Sequence, residues 1–295
     1  MTKKEKAALS AGNTVRQEHC KIEDMLSFIA DHPSKYLAKT VNSDDVTINY
    51  IFDDHMLQQY MHMKSNCELF MSATIGDFRE FASTAGLNVD KATAISLPST
   101  FDFSESQIYY SNENRMSYSE KDESLKKILK QVVELCRKHN RQRGIIQTGN
   151  YSNAKYLKDN LPEDVLKRCL FYNGTKEKST MLESFTLPPI YRYDNKILIG
   201  PTLIEGLNFP DNACRFQICI KIPYGCLGNQ YIQKKKDLVE GWYEYDAITK
   251  ICQGVGRGIR HETDWCKTYI LDGCVCQLLR KLRTIPVFKN RLKLL

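Results

Sequence analysis

The chain has 295 residues, 42% of them hydrophobic, enough for one large domain or two modest ones with a full core. Its 42 Lys and Arg against 35 Asp and Glu leave a net charge of +7, a balance that suits a polyanion such as nucleic acid without requiring one. No stretch approaches the roughly 18 apolar residues that span a bilayer, and the opening MTKKEKAALSAGNT lacks an apolar signal core, so a soluble, intracellular protein with no membrane role is expected.

Eleven cysteines are scattered without a C-x-x-C pair, which favours reduced, buried thiols over disulfides. Cys274 and Cys276 alone are closely spaced, a weak hint of a metal site and no more. Residues 1 to about 45 read as polar and largely helical, with Ile22, Met25, Leu26, Ile29, Tyr36 and Leu37 as apolar positions. Val46–Ile51 alternates like a strand, Asp54–Met63 returns to a helical pattern, and Cys67–Met71 reads as a short apolar strand ending in Ser72-Ala73-Thr74. Gln107–Tyr110 is a strand, and Asp122–His139 is an amphipathic helix with Leu125, Ile128, Leu129, Val132 and Cys136 inward.

Strands and helices then alternate. Strands are expected at Gly144–Gln147, Cys169–Tyr172, Lys196–Ile199, Phe216–Ile222 and Thr268–Leu271, which closes the series. Helices are expected at Asn153–Leu161, Lys176–Phe185 and through about 229–260. This order predicts right-handed crossovers and a parallel sheet covered on both faces, with ligands at the carboxyl ends of its strands.

Three stretches carry polar chemistry. Thr148-Gly149-Asn150-Tyr151-Ser152 follows a strand, where Ser152 is placed to cap the next helix, and read alone it is a simple loop. Pro201-Thr202-Leu203-Ile204-Glu205-Gly206-Leu207-Asn208-Phe209-Pro210 follows another strand and alone reads as a turn. Ile248–Arg260 reads as one helix, with Ile248, Ile251, Cys252, Val255 and Ile259 on an apolar stripe and Gln253, Arg257 and Arg260 opposite at i, i+4 and i+7. Such a face is either a solvated basic surface or a seat for a charged oxyanion. Glycines 254, 256 and 258 favour the second, because each weakens a helix and three together imply close approach to the backbone. They do not make a dinucleotide fingerprint, since Ile259 stands where a glycine is needed. The run Lys234-Lys235-Lys236 reads as a solvated face.

Gln253-Gly-Val-Gly-Arg257-Gly-Ile-Arg260, continued by His261-Glu-Thr-Asp264 and a strand ending at Asp272, resembles motif VI of superfamily 2 helicases in their XPD/DinG branch. Ser72-Ala73-Thr74 resembles motif III, the segment 96–103 the crossing between motor domains with Thr100 in place of the family's Pro, and residues 148–152 motif IV. Glu205-Gly206-Leu207-Asn208-Phe209-Pro210 resembles motif V, with Asn208 where the family has an acid; an amide still donates and accepts hydrogen bonds but serves neither as base nor as metal ligand.

The resemblance implies a RecA-like α/β fold over 96–295, preceded by a motif III segment at 67–95 and a mainly helical segment at 1–66 like the end of an insert domain. It further implies that Arg257 and Arg260, with Gln253, act on ATP phosphates across a cleft, that Glu205, Gly206 and Asn208 lie near the nucleotide, and that Ser72, Ala73 and Thr74 couple nucleotide state to motion. Thr148, Asn150, Tyr151, Ser152 and Thr202 would touch single-stranded DNA. A phosphate-binding G-x-x-x-x-G-K-[ST] and an Asp-Glu-x-His box are not found in the sequence. The expected partners are therefore single-stranded DNA and an N-terminal helicase half, in cis or trans, that holds ATP and Mg²⁺; the family's Fe–S cysteines would belong to that half. The function expected is the C-terminal half of an ATP-dependent DNA helicase, not self-sufficient as an enzyme. The competing reading is a non-catalytic nucleic-acid-binding or regulatory module with the same fold.

Overall fold

The computed structural model describes residues 19, 22–24, 26–27, 29–31, 36–40, 46–50, 67–72, 75–99, 101–172, 175–186, 194–201, 208–285, 288 and 290–295. The expected helix at Asp54–Met63 lies outside them, as do Ala73, Thr74, Thr202, Glu205 and Gly206. The chain packs as two compact units, one of residues 1–69, 79–92 and 226–240, the other of 70–78, 93–225 and 241–295.

In the first unit, helical positions at 22–24, 26–27 and 29–31 agree with the polar amphipathic pattern there. Tyr36–Thr40, read as part of that helical region, is instead strand β1, paired antiparallel with β2 (Val46–Tyr50) in the register Tyr36↔Tyr50. A partner rich in β-branched residues ten positions on decides the conformation, which local pattern alone does not report. Among the described residues this unit also holds helices α1 (Phe78–Thr84) and α6 (Gln230–Leu238) and a 3₁₀ turn at Val89–Lys91, with the Asn229 side chain capping α6 through the amide of Tyr231 at 2.9 Å. The lysine run lies on α6, with Lys235 Nζ over the Tyr231 ring.

The second unit is a seven-stranded, wholly parallel sheet. Its strands are β3 (Ile108–Tyr110), β4 (Gly144–Gln147), β5 (Cys169–Phe171), β6 (Ile197–Gly200), β7 (Phe216–Cys219), β8 (Lys267–Ile270) and β9 (Leu292–Leu294), in the spatial order β5-β6-β4-β7-β8-β3-β9. One face carries α2 (Lys121–Lys138), α3 (Tyr151–Asn160) and the short α4 (Glu163–Leu166) over Ile146, Ile197, Ile199, Ile218 and Tyr269. The other carries α7 (Trp242–Val255) and α8 (Leu279–Leu282) over Ile108 and Ile270, and next to them α5 (Thr175–Thr186), whose Phe185 packs with Ile145, Leu198 and Phe209. Ile145 and Ile146 thus bury themselves on opposite faces, as strand alternation demands. Each such fully buried isoleucine contributes about 2 kcal/mol of apolar burial.

Helix α2 shows why the sequence folds as it does. Leu125, Ile128, Val132 and Cys136 recur at helical spacing and are buried, Asp122 and Glu123 occupy the first turn, and Arg137 and Lys138 the last, matching the helix dipole. Its carboxyl end is capped from outside by buried Arg168, whose guanidinium donates to the carbonyls of Cys136 at 2.7 Å and His139 at 2.9 Å. A carbonyl-rich helix end is where a buried cation costs least.

Two strand expectations change. Residues 67–72 carry no strand, and Leu69 and Met71 are 80% and 81% exposed. The series does not close at β8: β9 pairs parallel with β3, tied by Ile108 N–H to the Arg291 carbonyl at 2.9 Å. Three residues, Leu-Lys-Leu, are too few for an alternation signal.

Candidate functional site

The polar turn after β4 lies at the carboxyl edge of the sheet. Gly149 has φ +74°, and a β-carbon there would stand 3.2 Å from the Lys221 side chain, so the turn needs glycine on both counts. The cap of α3 is Asn150, not Ser152: its side-chain oxygen accepts from the Asn153 amide at 2.8 Å, while Ser152 Oγ donates to that same oxygen at 2.8 Å. An Asn at the residue preceding the helix reaches the third amide; a Ser already inside the first turn does not. Thr148 is fully buried and its hydroxyl donates to the Asn150 carbonyl at 2.9 Å. Tyr151 and Ser152 are exposed. Of the four motif IV candidates, then, two present side chains outward and two build the turn.

Asp272 organises the same edge. Its buried carboxylate accepts the amides of Met116 at 3.0 Å, Ile222 at 2.9 Å and Cys274 at 3.0 Å, binding three loops to the end of β8.

The motif VI residues stand at the opposite, amino edge. Helix α7 ends at Val255, followed by a 3₁₀ turn over Gly256–Gly258 and extended Ile259 at φ −135°. The single helix expected through Arg260 is therefore shorter, and Gln253, Arg257 and Arg260 do not share one helical face. Glycines in that turn stop the helix. Gly258 is crowded from within the chain, since a β-carbon would lie 2.6 Å from Cys266 Sγ, whereas Gly256 faces open space within 4 Å. Val255's carbonyl accepts from Gln217 Nε2 at 3.2 Å, and Gln217 is the second residue of β7, which sets the end of α7 beside the start of the sheet. A cavity of about 20 Å³ lies between sheet and helix here, lined by Gln147, Gln217, Ile251, Gly254, Val255 and Thr268 among others. Among the described residues Gln217 Oε1 has no hydrogen-bond partner.

The expected concentration of motifs at the carboxyl edge thus holds for the turn after β4 and fails for Arg257 and Arg260. A helix that packs antiparallel to the strands delivers its carboxyl end to their amino ends. At the carboxyl edge the Thr148 amide donates to the Gly200 carbonyl at 3.0 Å, and at the amino edge the Phe209 amide donates to the Arg257 carbonyl at 3.3 Å. Asn208 is exposed beside that contact, Phe209 is buried, and Arg257 is half-buried while Arg260 is exposed. Gln253 is half-buried on α7, and Ser72 is exposed in the extended segment at 67–72.

Sequence reasoning missed Arg215, an isolated arginine with no pattern around it. Asp211, His261 and Asp264 gather around it with ligand atoms within 4.8 Å of one another, yet the cation at this trio is Arg215's own guanidinium, 2.8 Å from Asp264 and 3.7 Å from Asp211. Among the described cysteines, Cys214 and Cys266 approach to 3.9 Å beneath Gly258, and burial pushes the Cys266 thiol well above its ordinary range.

Comparison with known proteins agrees with this geometry. A family model described as "Helicase C-terminal domain" matches residues 126–281. The chain is 32% identical over 93 residues to "ATP-dependent DNA helicase CHL1" of Saccharomyces cerevisiae, covering 25% of this chain and 11% of that protein. It is 28% identical over 93 residues to the protein of the same description from Kluyveromyces lactis, covering 12% of it. The chain thus spans about a tenth of the length of these relatives. Among solved structures, one described as "XPD_APO" superposes with a TM-score of 0.61 at 14% identity, over 100% of this chain and 63% of that one. "Structure of S. tokodaii Xpd4" gives 0.52 at 13% identity, over 85% and 48%. A match over more than half its residues means that the chain belongs to the helicase C-terminal domain family.

Proposed function

We propose that this chain is the C-terminal half of an ATP-dependent DNA helicase engine, supplying Arg257 and Arg260 to a nucleotide whose phosphates and Mg²⁺ are held by another domain, and touching single-stranded DNA at the turn after β4. The observation that carries the reading is the break at the end of α7, where the 3₁₀ turn over Gly256–Gly258 and extended Ile259 take Arg257 and Arg260 off the helix at the amino edge of the sheet, with Arg260 exposed. At the carboxyl edge the turn after β4 presents Tyr151 and Ser152 outward.

Phosphoryl transfer depends on positioning and on stabilising charge spread over phosphate oxygens, and an arginine reaching into that charge is worth about a thousandfold or more in rate. A surface arginine is worth almost nothing. The test is DNA-stimulated ATPase in the chain combined with an N-terminal half that carries the Walker A lysine. Arg257→Ala and Arg260→Ala are each expected to lower turnover about a thousandfold, to a residual rate that is still measurable, while the circular dichroism spectrum stays unchanged. Wild-type turnover in both variants would sink the assignment and favour a non-catalytic module.

A further inference from the structure

We infer that Arg215 and Asp264 form a positioning pair for Arg260, an assignment that rests on the reading of Arg260 as a group that meets nucleotide phosphate. Arg260 follows extended Ile259 beyond the end of α7, so no helix holds it. Its backbone is held by Asp264 instead. The Asp264 carboxylate accepts the Arg260 amide at 3.0 Å and the Trp265 amide at 2.9 Å, and its side chain is 0% exposed. A carboxylate so buried demands a cation, because removing one partner of a buried pair leaves an uncompensated charge. Arg215 is that cation. Its Nη1 meets Asp264 Oδ1 at 2.8 Å and the Trp265 carbonyl at 2.9 Å, its Nε meets Asn212 Oδ1 at 3.0 Å, and its guanidinium lies 4.8 Å from the Trp265 ring centroid.

Arg215 is itself anchored to the rigid sheet. It directly precedes β7, its amide donates to the Arg143 carbonyl at 2.9 Å, and its carbonyl accepts from Lys267 at 3.1 Å. The sequence of contacts therefore runs from the amino edge of the sheet, through the Arg215 fork, to the Asp264 carboxylate and the Arg260 backbone. An outer contact, His261 Nε2 to Asp211 Oδ1 at 3.0 Å, ties the following residue to the loop that carries Asn212. The planar fork is what lets one side chain hold three acceptors at once; a lysine keeps the charge and loses that geometry.

A misplacement of about 1 Å at a reacting group costs about a hundredfold in rate. In the chain combined with its nucleotide-holding half, Asp264→Asn keeps volume and an acceptor oxygen but removes the charge. It is expected to lower kcat on the order of a hundredfold while the KM for ATP stays within about twofold, since the phosphates are cradled elsewhere. Arg215→Lys should lower kcat at least about tenfold, and carries the test if Asp264→Asn does not fold. The discriminating readout is a double-mutant cycle. If Asp264 acts through Arg260, Asp264→Asn adds no further loss in an Arg260→Ala background, whereas a merely structural residue would contribute its full factor again. Wild-type kcat per folded molecule in both Asp264→Asn and Arg215→Lys, or full additivity with Arg260→Ala, overturns the pair. Wild-type turnover in Arg260→Ala overturns the reading beneath it, and the pair's role with it; loss in Arg260→Ala beside a fully active Asp264→Asn overturns the pair alone.

Discussion

His139 ends α2 stacked on the Phe216 ring at 4.5 Å, with its Nε2 2.9 Å from the Tyr269 hydroxyl. Burial first, then the positive charges of Lys138, Lys267 and Arg168, hold its pKa below the ordinary value of 6.5. The unfolded chain therefore binds a proton near pH 6.5 that the folded chain refuses, and stability falls as pH drops below about 6.5 and is level in this respect above it. Thermal melts between pH 7.5 and 5 should show that decline, and His139→Phe should flatten it; an unchanged slope in the variant would remove His139 as its source. Other residue-scale roles divide by whether their partners are near in sequence. Arg257 and Arg260 were legible as candidates from their own string, in which Asp264 also stands. Arg215 was not, because its partners Asp264 and Trp265 lie some fifty residues away. Asn208 was legible as a departure from the motif, and the structure adds that its neighbour Phe209 bonds the backbone of Arg257.

Elements with a strong period were read correctly in kind and nearly in extent. Helix α2 and strand β4 fall where alternation and helical spacing put them, because both bury a continuous apolar set. The end of α7 is not legible: three glycines at 254–258 suggest close approach within a helix, whereas at 256 and 258 they belong to the turn that ends it. Strand β9 depends on pairing with β3 far earlier in the chain, and β1 on the strand that follows it, and neither left a trace in its own residues. The motif IV turn yields an element-scale prediction. Tyr151 and Ser152 face outward, so Tyr151→Ala and Ser152→Ala should weaken single-stranded DNA binding, with affinity falling steeply as salt rises and phosphate counterions are released. Thr148→Val should instead lower stability by about 1 kcal/mol, the net worth of one buried hydrogen bond, and leave affinity intact. Fluorescence anisotropy with a labelled oligothymidine at several salt concentrations, beside thermal melts, separates the two; salt-independent binding would exclude the phosphate mode.

At the scale of the whole molecule, the sheet keeps two candidate sites apart. The turn after β4 is at the carboxyl ends of the strands, and Arg257 and Arg260 are at the amino ends. The parallel fold was legible from the alternation of strands and helices, but this division of the edges was not, because it follows from the direction in which α7 packs. In the function proposed above, Arg257 and Arg260 complete a phosphate site begun by another domain. The most direct measurement is ATP hydrolysis by the purified chain, with and without single-stranded DNA, and then with a polypeptide carrying the Walker A lysine added. The half-engine account predicts no DNA-stimulated hydrolysis by the chain alone and turnover once the second polypeptide is present. Hydrolysis by the chain alone that disappears in Arg257→Ala would contradict it.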